Sequence, residues 1–183
     1  MNAWSLPQSA LIGDVEYPIN SDFRDILEII RYLNDETKTV YLRWKIALAL
    51  FFDGEIPDKY EEEAAQYLSD FISCGKKDEK IGPKLIDWEQ DALLIVTDIN
   101  KVAGKEIRAE KYLHWWTFLG WFHSIGEGNL STLVSIRDKL RRGKKLESHE
   151  QEYYRRNKSR VNLRKKYSAS ELAEQERLQK LLG

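Results

Sequence analysis

The sequence predicts an all-α protein: a compact multi-helix domain of about six helices, with a short extended N-terminal arm and a charged helical C-terminal extension. Three observations carry that prediction. Apolar residues recur every three to four positions through most of the chain, which places them on one face of an α-helix. Only four prolines and ten glycines occur in 183 residues, and Gly54, Gly75, Gly104 and Gly143 fall where periodic stretches end. The run Tyr112–Phe122 packs more aromatic side chains into one segment than a single exposed helix face can carry.

Residues 1–21 read as the arm, with Val15-Glu16-Tyr17 as a short strand between Gly13-Asp14 and Pro18. Ser21 or Asp22 caps a first helix whose stripe is Phe23, Ile26, Leu27, Ile30 and Leu33, ending at Asn34-Asp35. A second helix is expected from about Thr37 to Asp53, with Trp44, Ala47, Leu48 and Phe51 as its core stripe and Gly54 as its stop. Pro57 opens a third, where Asp58, Glu61, Glu62 and Glu63 complement the helix dipole and Tyr60, Ala64, Tyr67, Leu68, Phe71 and Ile72 turn inward.

Residues 75–86 read as a loop. Asp87 then opens a fourth helix, with Gln90 completing a capping-box-like pair and Gly104 closing it. The aromatic helix follows at about residues 109–125, and its Thr117, Gly120 and Ser124 stripe would admit another backbone closely. Asn129 starts a sixth helix that ends near Gly143. Together these give an arm at 1–21, a helical core domain at 22–143 and the extension at 144–183. Within the extension a helix is expected over about 147–166, and Ser168 or Ser170 caps a last one.

Composition narrows the function. No window approaches the roughly 18 uninterrupted apolar residues of a membrane span. The N-terminus lacks the basic and apolar regions of a signal peptide. A single cysteine, Cys74, admits no internal disulfide and suits a reducing compartment. Charge is unevenly spread: Arg137 to Lys166 holds thirteen Lys and Arg against four acids, a net of +9, and the rest of the chain is −10. That asymmetry suggests a polyanionic partner or an acidic protein surface.

Chemistry-bearing motifs are sparse. His114 and His123 do not share a face at metal-ligand spacing, so neither a metal nor another cofactor is expected. Asp87, Glu89 and Asp91 form an acidic cluster of the kind that does acid–base work or binds cations, but in a first helical turn they read as caps. No nucleophile elbow or phosphate-binding glycine loop occurs, and the chain is expected not to be an enzyme. The basic segment Arg155, Arg156, Lys158, Arg160, Arg164, Lys165 and Lys166 is the candidate polyanion contact, with Tyr153, Tyr154 and Tyr167 beside it able to stack on bases.

Three stretches resemble the gp-fifteen family of tailed phages and prophages of Gram-positive bacteria. They are Tyr17-Pro18-Ile19-Asn20-Ser21-Asp22-Phe23-Arg24, Asp87-Trp88-Glu89-Gln90-Asp91 and Leu113-His114-Trp115-Trp116-Thr117-Phe118. Phe71-Ile72-Ser73-Cys74-Gly75 and Ile136-Arg137 also stand where that family has similar residues. The resemblance covers roughly residues 10–167. Two departures are that Ile99–Lys105 lacks the usual aromatics and that the end beyond Tyr167 is long.

The resemblance implies a tail assembly chaperone in the host cytoplasm, absent from the mature virion. Its implied partner is the tape measure protein, with the tail tube protein as a second. Tyr41, Trp44, Phe52 and Trp121 are the residues chosen for a partner-binding surface. Self-association, a nucleic-acid-binding role for the basic segment and a structural place in the tail remain as alternatives. No membrane partner is expected.

Overall fold

The computed structural model describes residues 4–75, 82–164 and 167–182. The chain divides into two compact units. One comprises Met1–Asp78, His114–Trp116 and Lys165–Gly183, the other Glu79–Leu113 and Thr117–Arg164.

The first unit opens with a hairpin. Strands β1 (Ser9–Ile12) and β2 (Val15–Pro18) pair antiparallel, with Ala10 opposite Tyr17 and Leu11 opposite Glu16. Gly13 takes the turn at φ 57°, and a Cβ there would lie 2.6 Å from the Tyr60 ring. Alternation buries Ala10 and Ile12 and leaves Leu11 outside. The protein is therefore mostly helical but not strictly all-α, and the expected arm is folded into the core. Four residues give β1 only two inward positions, too short a pattern to recognise before its partner is in place.

Helix α1 (Phe23–Leu33) begins where the Asp22 carboxylate accepts the Arg24 N–H at 2.9 Å, and it buries Phe23, Ile26 and Ile29. Helix α2 (Val40–Phe51) starts at Thr39, whose hydroxyl accepts the Leu42 N–H. Its end is set by pairing with the chain after β2: Asn20 N–H donates to the Phe51 carbonyl at 2.8 Å, and Asp53 N–H to the Pro18 carbonyl at 2.9 Å. Those bonds extend the chain at Phe52, before the expected stop at Gly54. A 3₁₀ turn at Asp58–Tyr60 precedes α3 (Glu61–Ile72), which buries Ala64, Leu68 and Phe71.

The residues His114–Trp116 complete this core. Trp115 N–H donates to the Ser21 carbonyl, while the Trp115 and Trp116 indoles donate to the carbonyls of Ile72 and Phe71, each at 2.9 Å. Phe71 packs 5.1 Å from Phe51 and 5.6 Å from the His114 ring, centroid to centroid. The last helix, α9 (Ala169–Leu182), begins at a capping box in which Glu171 N–H donates to the Ser168 hydroxyl and Ser168 N–H to the Glu171 carboxylate.

In the second unit, a turn at Asp87–Asp91 leads into α4 (Ala92–Ala103). Then come a 3₁₀ turn at Ile107–Ala109, α5 (Trp115–His123, counted here from Thr117), α6 (Asn129–Arg141), α7 (Ser148–Arg156) and α8 (Lys158–Val161). Ile95, Ile99, Ile107, Phe118 and Leu130 are buried. Buried Asp98 of α4 accepts the Leu130 N–H at 3.1 Å, satisfying a donor at the start of α6.

Two expectations are corrected here. The aromatic helix is shorter than residues 109–125, because residues 110–113 are irregular. On its small-residue stripe, nothing among the described residues lies within 4 Å of where a Gly120 Cβ would stand, and the Ser124 hydroxyl donates to the Gly120 carbonyl. The expected helix over 147–166 breaks at Asn157, whose side-chain amide donates to the Tyr153 carbonyl at 3.0 Å. Residues 146–161 also complete a core, since Leu146 and Val161 pack with Leu133 and Ile136, covered by Leu94, Tyr153 and Tyr154. The first part of the predicted extension thus lies on the body.

Candidate functional site

The cluster Asp87-Trp88-Glu89-Gln90-Asp91 organises the second unit. Asp87 accepts the N–H groups of Glu89 and Gln90 at 3.1 and 2.9 Å, but it caps a turn rather than the expected helix start, since α4 begins at Ala92 and the Asp87 N–H donates to Asp91 instead of the Gln90 side chain. Burial alone would push its carboxyl up, but the Gln90 N–H, the Lys84 ammonium and the Glu89 N–H outweigh it and hold the pKa down at about 2. Asp91 points inward to Arg137. The Arg137 guanidinium donates to both Asp91 oxygens, at 2.6 and 2.8 Å, and to the carbonyls of Leu85, Arg160 and Val161. All five of its N–H donors are used. The Gln90 side chain donates to the carbonyls of Arg160 and Asn162 and accepts the Arg164 N–H at 2.9 Å.

These bonds hold the backbone of residues 160–164 while its cations face outward. Arg155, Arg156, Lys158, Arg160 and Arg164 are exposed; Lys165 and Lys166 lie outside the described residues. Arg156 is paired with Glu152. Tyr153 and Tyr154 are half-buried on the Leu146 and Val161 cluster, and the Tyr154 hydroxyl donates to Asn162. Of the three tyrosines expected beside the cations, these two give part of their surface to packing, and Tyr167 is 37% exposed. The spacing of the cations was legible, but the inward turn of the tyrosines depends on Leu133 and Ile136, distant in sequence.

In the first unit, α2 has no polar face. Arg43 and Lys45 are its only charged residues, yet Ala47, Leu48 and Phe51 are its only buried ones. Val40 is 60% exposed, Tyr41 68% and Leu42 44%, and Trp44 and Ile46 are half-buried. Surface helices normally keep their apolar residues to one stripe. Beyond this face the chain after α2 bounds a cleft of about 460 Å³. Its apolar lining is Leu48, Ala49, Phe52 and Ile56. Asp53, Glu55, Asp58 and Glu61 supply carboxylates, and Lys45 the one ammonium. Hydrogen bonding to Glu61 raises the Lys45 pKa above its usual range.

The four chosen surface residues do not form one surface. Tyr41 and Trp44 belong to the α2 face. Phe52 is 3% exposed, its strand-like backbone paired with Ile19, and it forms part of the floor of the cleft rather than of the α2 face. Trp121 belongs to the second unit, half-buried with the Lys105 ammonium 5.7 Å from its ring. Sequence reasoning gave no role to Val40, Leu42, Ala49 or Glu55 and read Asp58 and Glu61 of the cleft only as partners of the helix dipole. The signal was present in the unbroken apolar character of Val40–Phe51.

His114 is a structural group. Trp116 N–H donates to its Nδ1 at 3.0 Å, so Nε2 carries the proton and donates to the Pro7 carbonyl at 3.1 Å. Burial lowers its pKa, against the opposing bond from Pro7. Among the described residues no group of three His, Cys, Asp or Glu side chains is placed to hold a metal ion, and no helix is long and apolar enough to cross a membrane.

The family model described as Bacteriophage Gp15 protein matches residues 5–163. No curated protein and no solved structure matches the chain. The matched span holds both the α2 face and the Asp91–Arg137 pair, and leaves α9 outside. By that match over most of its length, and by its residues resembling the family's three motifs, the chain belongs to the bacteriophage Gp15 protein family.

Proposed function

We propose that this phage protein is a tail assembly chaperone that makes and breaks no covalent bond. It covers apolar helical stripes of the tape measure protein, and in a further contact the tail tube protein, in the host cytoplasm, and it leaves before the virion is complete. The observation that carries this reading is the α2 face. A helix apolar on all sides, with only Ala47, Leu48 and Phe51 buried, is suited to helix-in-groove packing against another helix. Val40 and Leu42 are 60% and 44% exposed, so covering them would contribute on the order of 1 kcal/mol each before ordering costs. The modest area suits binding that must be reversible.

The test is co-expression with a tape measure fragment. The fragment stays soluble and copurifies in the presence of this chain, and aggregates without it. Equal aggregation in both cases would end the reading. Mass spectrometry of purified particles separates it from a structural tail component, which would remain in the particle.

The exposed cations of 155–164, of which Arg160 and Arg164 have backbone bonds to Arg137 and Gln90, favour a second reading as a polyanion contact. Under it, DNA or RNA is retarded at about 50 mM salt, and the shift disappears when Arg155, Arg156 and Lys158 become alanine. No retardation at that salt would exclude it.

A further inference from the structure

The cleft beside α2 is asymmetric in charge as well as apolar. Its four carboxylates face one ammonium, and Lys45 is already engaged by Glu61 and, at 3.3 Å, by Asp58. Asp53 and Glu55 are exposed, and neither forms an ion pair among the described residues. Apolar surface with uncompensated negative charge beside it repels an acidic helix and attracts a basic one.

We propose that this cleft receives a basic amphipathic helix of a partner protein. An apolar side chain of that helix seats against Leu48, Ala49 and Ile56, and flanking Lys or Arg side chains meet Asp53 and Glu55. This rests on the chaperone reading and adds the charge of the segment that is held. Charge complementarity argues for a basic occupant, and a second copy, whose Leu140 is exposed beside Arg141 and Arg142, is one of the outcomes the test below separates.

The probe is a fluorescein-labelled peptide of about 18 residues, with leucines at helical spacing and lysines elsewhere, about five turns when folded. Fluorescence anisotropy with the full chain should show saturable binding. A peptide with glutamate in place of every lysine should not bind. Asp53→Asn with Glu55→Gln should weaken the lysine peptide about fivefold, as expected for two exposed charge pairs. Glu36→Gln with Glu127→Gln, exposed carboxylates elsewhere, should leave it unchanged.

Equal binding of both peptides, equal weakening by the two variant pairs, or no binding of the lysine peptide would each overturn the proposal. So would self-association abolished by Asp53→Asn with Glu55→Gln, which would give the cleft to a second copy. If the tape measure fragment is still kept soluble in any of those cases, the chaperone reading stands without the cleft. If it aggregates as well, both fall.

Discussion

Arg137 and Asp91, 46 positions apart, form a bidentate ion pair whose side chains are 4% and 0% exposed. Two charges removed from water are tolerated because every guanidinium N–H has an acceptor and Asp91 Oδ2 also takes the Asp87 N–H at 2.9 Å. The pair joins α6 to the turn before α4 and, through the carbonyls of Arg160 and Val161, to α8. The Asp-Trp-Glu-Gln-Asp element and Ile136-Arg137, apart in the sequence, are one structural device.

Replacing Arg137 by alanine is expected to cost about 3–5 kcal/mol, because it strands a buried carboxylate. The double change Asp91→Leu with Arg137→Met should recover much of that loss. Urea denaturation of the three proteins checks both statements, and a double variant no more stable than Arg137→Ala would contradict the account.

Gln90→Ala removes the clamp without touching the ion pair. A loss of about 1–2 kcal/mol is expected from its hydrogen bonds. Trypsin should cut after Lys158, Arg160 and Arg164 sooner than in the unaltered chain. Gln90→Glu should be worse, since a carboxylate would face the carbonyls of Arg160 and Asn162. Timed digestion followed by mass spectrometry reads the sites directly.

His114 makes the first unit sensitive to mild acid. Its folded pKa is lowered from the ordinary 6.5, so the unfolded chain binds the proton more readily. Its contribution is therefore whole above about pH 6.5 and is lost as pH falls through the folded value. Protonation would also set a cation at the start of α5 and remove the acceptor for Trp116 N–H. Denaturation of the unaltered chain and of His114→Asn, followed from about pH 7.5 to pH 5.5, should show a steeper fall for the unaltered chain. Parallel curves would contradict it.

Tyr41→Ala with Leu42→Ala tests the α2 face apart from folding. Both residues are exposed, so stability should stay within about 0.5 kcal/mol. The same variant should fail to keep a tape measure fragment soluble. Retained solubilisation would move the contact away from α2.

Several parts of the fold were legible because they rest on local bonds. Asp22 with Arg24 and Ser168 with Glu171 lie within three positions of one another, and each starts a helix where the residue types indicate, whereas Asp87 with Gln90 makes only a turn and α4 begins at Ala92. β1 was not legible, since a four-residue strand exists through its pairing with β2 and its cover by Tyr67, whose hydroxyl donates to the Ser9 carbonyl. For the same reason Asp91 and Gln90 read only as caps: Arg137 and the 159–164 backbone, which give them their further roles, are far along the chain.

The sequence alone determined the helix-rich class, the family, the basic segment and most helix starts, because composition, motif and capping are properties of neighbours. Tertiary structure decided which side of α2 faces outward, buried Phe52 while exposing Tyr41, and packed Tyr153 and Tyr154, half-buried, against the core. A helix with no polar face carries no instruction about which side to bury; that choice is made by the surfaces it meets.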